Sequence, residues 1–362
     1  MMSKLDSLKS LFQVYDNWLG ILKVRFFGGE CTAALHDVHG GRLPIKVSRA
    51  NVGKIISLGL IVAEFGDKYE VKNDEIVCTP FRDLTITFRP DSMEGLDLAR
   101  VFGSLSKHVT SIVEYNEDYY LATDTNGVKW VLRRASPVSL IDDANYGPLL
   151  FYVQEPREYD WFLTALRKGG TVVDVGANVG DYSVSACAMG ARVVAVEPGP
   201  ENYCVLKLNL ELNRCTNAHV LNIAAGSREE VRQLYTGDER SVGYSLQKGE
   251  GKRVKCDVEV KPLDVVILPL LGDEWVQLLK IDVEGLEVEV IKGALNLLRR
   301  TRYIIVEIIP GTESKEREVL DLLRPLGFKL VNKVCRQFEL PHKTGMESYC
   351  DLFLRKSTTD LI

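Results

Sequence analysis

The chain has 362 residues, of which 46% are hydrophobic and 26% charged, with a formal net charge of −5. This composition excludes a mostly disordered chain and supplies enough apolar material for a sizeable core. The charge is spread evenly, net −2 over the first 150 residues and −3 over the remainder, which argues against a broad phosphate-binding surface.

The length predicts two domains. At the N-terminus, Leu8, Leu11, Phe12, Tyr15, Trp18, Leu19 and Leu22 recur at helical spacing and predict one amphipathic helix. Its apolar stripe offers a face for self-association. The opening residues carry no continuous apolar segment of signal-peptide type, and the most apolar window, Ile55 to Phe65, is too short to span a bilayer. A cytoplasmic protein without a membrane span is expected. Beyond Gly28-Gly29 and Gly40-Gly41, β-rich runs follow at Ile76–Cys78, Leu84–Phe88 and Lys129–Arg133, with a helical pattern at Leu96–Leu105. Residues 1–150 therefore predict a small α+β domain. They contain no repeat and no chemical motif.

From about residue 151 to residue 362, strands and helices alternate. Strands are expected at Thr171–Val175, Arg192–Glu197, His219–Ala224, Val276–Asp282, Arg302–Glu307, Phe328–Asn332 and Tyr349–Leu354. Helices are expected at Gly180–Met189, Pro200–Leu212, Leu286–Leu298 and Ser314–Leu326. Such alternation predicts an α/β domain with a parallel sheet covered on both faces. Between residues 231 and 262, two strand-like runs flank the Gly-rich GYSLQKGEGK, which predicts an inserted β-hairpin. The eight cysteines form no CxxC pair and no metal-type cluster, so no zinc site is expected. Cys187 and Cys204 lie in apolar stretches and read as reduced, core-filling thiols.

Thr171 to Val184, TVVDVGANVGDYSV, carries the chemistry. An apolar strand ends at Asp174 and passes through Gly176, Ala177, Asn178, Val179 and Gly180 into a helix. Glycines there allow a tight turn and a close approach of backbone to ligand. The next strand ends in Glu197, where an acidic side chain can accept both hydroxyls of a ribose. The GxxxG spacing departs from the dinucleotide fingerprint. Together the two features predict a nucleoside-containing cofactor at the carboxyl ends of the first two strands. A later strand leads into Asp282 and Glu284, and another ends in Glu307. Carboxylates at strand tips in an open α/β sheet are costly without a partner, so they are candidate site residues. Glu287 and Glu289 fall in the first turn of the following helix and complement its dipole.

These blocks resemble the FkbM family of S-adenosylmethionine-dependent methyltransferases. The resemblance begins near EPREYDWF (Glu155–Phe162) and rests on DVGANVGDYS, AVEPGPENYCVLKLNLELN, VKPLDVV and LLKIDVEGLEVEVIKGA. It implies a Rossmann-like class I methyltransferase fold, a seven-stranded, mostly parallel sheet whose last strand is antiparallel, with S-adenosylmethionine as the methyl donor. Carried over by position, Asp174, Gly176, Ala177, Asn178 and Gly180 would cradle the methionine end. Glu197 would hold the ribose, Pro198 and Asn202 would flank the adenosine, and Ala224 and Ala225 would lie near the adenine. Asp282 and Glu284 would lie beside the transferred methyl.

The resemblance implies O-methylation of a hydroxyl on a sugar or small-molecule metabolite. A carboxylate could take the hydroxyl proton, with Asp282, Glu284 and Glu307 as candidates in that order. Oxygen ligands of this kind could instead hold Mg²⁺. RNA methylation, with residues 1–150 binding the RNA, is one alternative, and the even charge argues against it. An NAD-type oxidoreductase is another, and both the GxxxG spacing and the KIDVEG block argue against that.

Overall fold

The computed structural model describes residues 12–65, 68–73, 75–81, 84–88, 109–133, 156–167, 169–236, 244–248, 253–308, 313–339 and 346–357. The chain divides into two compact units, Met1–Leu149 and Leu150–Ile362.

In the first unit, helix α1 (Trp18–Phe27) precedes the hairpin of β1 (Glu30–His36) and β2 (Arg42–Ser48). Helix α2 (Val52–Phe65) leads to a three-stranded antiparallel sheet of β3 (Tyr69–Lys72), β4 (Glu75–Phe81) and β5 (Leu84–Phe88). A second three-stranded sheet contains β6 (Val109–Glu114), β7 (Tyr119–Asp124) and β8 (Lys129–Arg133). The β-rich runs of the sequence thus form strands. The expected helix at Leu96–Leu105 lies outside the described residues, as do Leu8 and Leu11.

The N-terminal stripe does not form one continuous helix. Tyr15 leaves the helical path to bridge Leu35, and its hydroxyl donates to the Ile55 carbonyl at 3.0 Å. Asn17 then restarts the chain as the cap of α1, accepting from the Gly20 N–H. A polar side chain before a helix satisfies one of its orphan donors, and here it competes successfully with helical continuity. The buried face of α1 is Ile21 and Val24, whereas Leu19, Phe26 and Phe27 are exposed.

The second unit opens with α3 (Pro156–Leu166), followed by β9 (Thr171–Val175), α4 (Asp181–Ala188), β10 (Arg192–Val196), α5 (Pro200–Leu212) and β11 (Ala218–Leu221). A separate group of strands comes next: β12 (Ala224–Ala225), β13 (Glu230–Thr236), β14 (Tyr244–Ser245) and β15 (Arg253–Lys261). The chain returns through the short helices α6 (Leu263–Val266) and α7 (Leu268–Leu271) to β16 (Val276–Ile281). Then come α8 (Glu287–Lys292), α9 (Leu295–Arg299), β17 (Thr301–Ile308), α10 (Glu313–Leu323), β18 (Phe328–Glu339) and β19 (Met346–Lys356).

The main sheet has seven strands in the order β11-β10-β9-β16-β17-β19-β18. β19 runs antiparallel to both neighbours, and the other described pairings with β9, β10 and β16 are parallel. This is the Rossmann-like, seven-stranded, mostly parallel sheet with an antiparallel last strand that the resemblance implies. All five residues of β9 are buried, as a central strand covered on both faces requires. Val173, Val175, Val194, Val196, Leu279 and Ile281 pack on one face against Val290, Ile291, Leu297 and Leu298 of α8 and α9. On the other face Trp161 of α3 stacks on Phe353 at 5.4 Å between ring centroids, and Phe162 meets the edge of Tyr182 at 5.5 Å.

The structure revises four details of the strand and helix assignments. The third strand ends at Leu221, because Asn222 turns back and donates to the carbonyls of Glu197 and Pro198. Ala224 and Ala225 then join a second sheet beside β15. The inserted hairpin, β13 with β15, is widened by β12 and β14 into that four-stranded sheet. The helix expected at Leu286–Leu298 breaks at Gly293, where a Cβ would fall 1.9 Å from the Gly226 carbonyl oxygen. The strand expected at Phe328–Asn332 continues to Glu339 along β19.

The reading of Cys187 and Cys204 as buried reduced thiols is also corrected. Cys187 is bonded to Cys215, tying the end of α4 to the turn after α5, and Cys204 is exposed. A second disulfide joins Cys335 and Cys350, which stand opposite each other on β18 and β19. Among the described residues no helix is long and apolar enough to cross a membrane. Cys31, Cys78, Cys204 and Cys256 remain free. Alkylation of the denatured, unreduced chain is therefore expected to add four adducts by mass spectrometry, rising to eight after reduction. Eight adducts before reduction would show that neither bridge forms.

Candidate active site

The site begins where three parallel strands end level. Val175 is in register with Val196 on one side and Ile281 on the other. Gly176 N–H donates to the Val196 carbonyl and Asp282 N–H to the Val175 carbonyl, both at 2.9 Å. The ladder therefore runs just past the strands and locks their exits together. Gly176 has φ +79°, and a Cβ there would lie 1.7 Å from the Asp282 carbonyl oxygen. Only glycine fits both the conformation and the space. Asn178 also lies in the left-handed region, at φ +50°, which asparagine tolerates better than most residues. Gly180 enters α4 at φ +110°, and Asn209 of α5 braces the loop by donating to the Val179 carbonyl.

Glu197 leaves β10 beside this loop. One carboxyl oxygen accepts from Asn178 N–H at 2.9 Å and the other from Gly199 N–H at 2.8 Å. Burial pushes its carboxyl up to about 8, and those two backbone donors only partly offset the effect. Each oxygen keeps acceptor capacity after one such bond.

On the other side of β9, Asp282 accepts from Lys280 Nζ at 3.0 Å. Lys280 is directly opposite Asp174 in the sheet and lies over the Tyr182 ring at 4.9 Å. Burial disfavours its charge, but the nearby carboxylates of Asp282 and Asp174 outweigh that and hold the ammonium protonated. Glu284 takes φ +53° and Gly285 φ +105°, making a tight reversal into α8. Glu287, expected only to complement the helix dipole, is buried. It accepts from Gly285 N–H at 2.7 Å and pairs with Lys315 at 3.2 Å, so it closes this turn.

Nine of the expected site residues line one cleft: Gly176, Asn178, Glu197, Pro198, Asn202, Ala224, Ala225, Asp282 and Glu284. The cleft is open to solvent on one side. Asp174, Ala177 and Gly180 are not in the wall. Asp174 is fully buried behind the loop, where it accepts from Ser183 Oγ at 2.6 Å, so it supports the cradle instead of touching its contents. Ala177 is buried with its N–H on the Val196 carbonyl. Glu307 also stands outside the described lining, opposite Asp351 of β19. Burial, then the charges of Asp282 and Asp351, hold its carboxyl well above the usual range. Among the described residues no His, Cys, Asp and Glu side chains gather in threes to hold a metal ion.

Sequence reasoning did not single out Lys280, nor the wall contributed by the inserted sheet. Leu234, Tyr244, Ser245 and Leu246 face the strand tips across the cleft. Ser245 Oγ donates to the Glu284 carbonyl at 3.4 Å, and Gln247 Nε2 to that of Gly285 at 3.0 Å. A lone cation inside the apolar run LLKI was the available signal for Lys280, since such a residue is buried only with partners. The apolar and aromatic residues of GYSLQ, set between two strands, were a weaker signal for the wall.

Residues 174–330 match the family described as Methyltransferase FkbM domain. Methyltransferase sdnD of Sordaria araneosa is 35% identical over 153 residues, covering 34% of this chain and 59% of that protein. Hexuronic acid methyltransferase AglP of Haloferax volcanii is 28% identical over 165 residues, covering 40% of this chain and 57% of that protein. The chain thus spans less than three fifths of the length of these curated relatives. Among solved structures, M. jannaschii TYW2 in complex with AdoMet aligns over 67% of this chain and 89% of its own, at 14% identity and a TM-score of 0.35. A precorrin-6y C5,15-methyltransferase from Geobacter metallireducens aligns over 54% of this chain and 85% of its own, at 17% identity and a TM-score of 0.32.

The raised carboxyl of Glu197 has a consequence for stability. Between about 4.5 and about 8 the native chain holds a proton that the unfolded chain has released, so this group's contribution to stability falls as pH rises through that window. Glu197→Gln removes the titration. The melting temperature of Glu197→Gln minus that of wild type, measured without ligand, is expected to increase from pH 5 to pH 8. A constant difference would show that Glu197 does not titrate in that window.

Proposed function

We propose, from the match of residues 174–330 to the FkbM methyltransferase domain, that this chain transfers a methyl group from S-adenosylmethionine to a hydroxyl of a small acceptor, a sugar or a small-molecule metabolite. The observation that carries the reading is a single cleft bounded by Glu197 after β10 and by Asp282 and Glu284 after β16, with the Gly176 loop between them. Two strand spacings separate these carboxylates along the sheet, about 10 Å. That leaves room for a ribose at one and a reacting centre at the other.

The residues present fit the cofactor. Glu197 would accept the ribose hydroxyls while its backbone donors hold it still. The loop from Gly176 to Asn178, kept close to the cleft by the absence of a side chain at Gly176, would receive the methionine end. Pro198, Asn202, Ala224 and Ala225 would surround the base. When bound, the cofactor supplies an electrophilic methyl on a sulfonium.

The chain's part is alignment and proton removal. Holding the acceptor oxygen about 3 Å from the methyl and in line with the departing sulfur supplies about 7–11 kcal/mol of the barrier reduction. A hydroxyl is a poor nucleophile until its proton leaves, and Asp282 and Glu284 are the carboxylates within the cleft wall that can take it. Asp282 is the better placed, because Lys280 fixes one of its oxygens and leaves the other as acceptor. The naming of one relative as a hexuronic acid methyltransferase supports a sugar as the acceptor class.

Calorimetric titration with S-adenosylmethionine, alongside NAD, tests the cofactor. Wild type is expected to bind S-adenosylmethionine at micromolar levels, and Glu197→Ala at least about tenfold more weakly. Binding of NAD in its place would overturn the reading. Asp282→Asn is expected to lower the methylation rate about 10²- to 10⁴-fold while leaving the affinity for S-adenosylmethionine within a few fold. A rate unchanged by that substitution would remove Asp282 from proton transfer.

A further inference from the structure

Tyr244 is the one aromatic side chain among the described residues that line the cleft, and it comes from the inserted sheet, outside the strand–turn–helix units of the main fold. Its ring lies against the backbone immediately after Glu197 and Pro198. A Cβ on Gly199 would fall 2.3 Å from Tyr244 Cδ2 and 2.4 Å from Cε2, so the ring occupies the space a side chain there would fill. Its hydroxyl donates to Glu201 Oε2 at 2.5 Å, and Lys255 of β15 pairs with the other oxygen of the same carboxylate. The ring is therefore clamped at its polar end and half-buried along its length. An aromatic ring held this way loses little freedom when a flat partner is laid on it.

We propose that Tyr244 forms the base-side wall of the cofactor pocket and stacks on the purine ring, with Glu201 and Lys255 as the residues that position it. The proposal rests on the assignment of S-adenosylmethionine to this cleft. Three placements carry it. Tyr244 shares the cleft with Glu197, the residue assigned to the ribose. It abuts Gly199, two residues farther along the chain. It also shares the cleft with Ala224 and Ala225, whose small side chains take up little of it. Sequence-tolerant stacking of a base on an aromatic ring is a general binding device, because every base has a π face.

The alternative is that Tyr244 only pins the inserted sheet to α5 through its hydroxyl. A series on the full chain separates the two, with S-adenosylmethionine and with adenosine as calorimetric probes and with thermal melts of each variant. If the ring stacks, Tyr244→Phe and Tyr244→Trp keep both affinities within about threefold of wild type. Tyr244→Leu then weakens both by about tenfold. Glu201→Gln, which leaves the ring in place but loosens its clamp, gives a smaller loss, about threefold. If Tyr244→Phe and Tyr244→Leu weaken binding equally, the hydroxyl matters and stacking is overturned. If Tyr244→Leu melts normally and binds as wild type does, the proposal is overturned while the methyltransferase reading stands. Failure of wild type to bind S-adenosylmethionine would remove both. Should Tyr244→Leu fail to fold, the Phe and Trp variants still decide. A tenfold loss on either, in a chain that melts normally, contradicts a wall that needs only a ring.

Discussion

Where a side chain would stand on Gly176, the carbonyl oxygen of Asp282 already sits, and the whole cleft is organised around that contact. Because β9 and β16 approach so closely at their carboxyl ends, the chain after β9 must turn in a left-handed conformation. It therefore runs along the sheet edge instead of continuing beyond it. Gly176 and Ala177 place their N–H groups on the Val196 carbonyl, which ties the same turn to β10. One missing side chain thus brings three strand exits together, and with them Glu197, Asn178 and Asp282. A methyl group at this position would collide with backbone, which no change of rotamer can relieve.

Beneath that turn lies a set of charges that the sheet could not bury separately. Asp174 is sealed from solvent in the middle of an apolar strand, Lys280 lies opposite it, and Asp282 takes the lysine's closest contact. Removing one member of such a group leaves another charge buried without compensation, which is why these arrangements act as a unit. Their placement also separates support from contact. Asp174 and Lys280 work from behind the loop, whereas Asp282 presents its carboxyl to the cleft. Glu197 follows a different design, with two backbone N–H groups as its hydrogen-bond partners, and burial still raises its carboxyl.

Much of this was legible in the chain itself. The strands that carry the site are short, apolar runs ending in an acid or a glycine, and length and punctuation locate them well. Asn222 shows where such reading stops. Nothing in HVLNIAA announces that the asparagine will turn back to the Glu197 and Pro198 carbonyls and send Ala224 and Ala225 into another sheet, because the interaction is made with residues more than twenty positions away. Gly293 is similar, since its helix breaks to admit the Gly226 backbone and not through any local weakness alone. The N-terminal stripe misled for the opposite reason. Its apolar spacing is genuine, but the contact of Tyr15 with Leu35 and the capping by Asn17 override it. The disulfide partners of Cys187 and Cys335 follow from tertiary proximity and leave no mark in local sequence.

The inserted sheet carries a small apolar centre of its own, built from Ala224, Leu234, Leu246, Val258 and Val260. It meets the main domain at Glu201 and the backbone of Gly199, at the carbonyls of Glu284 and Gly285, through Leu286 packed on that centre, and where the Gly226 backbone abuts Gly293. Substitutions in its own interior are felt first within the inserted sheet, while the Gly176 turn and the exits of β9, β10 and β16 are held by the main sheet. For an engineer, exchanging residues 230–261 between relatives would replace the wall that Tyr244, Ser245 and Leu246 give the cleft while leaving Gly176, Glu197, Asp282 and Glu284 in place.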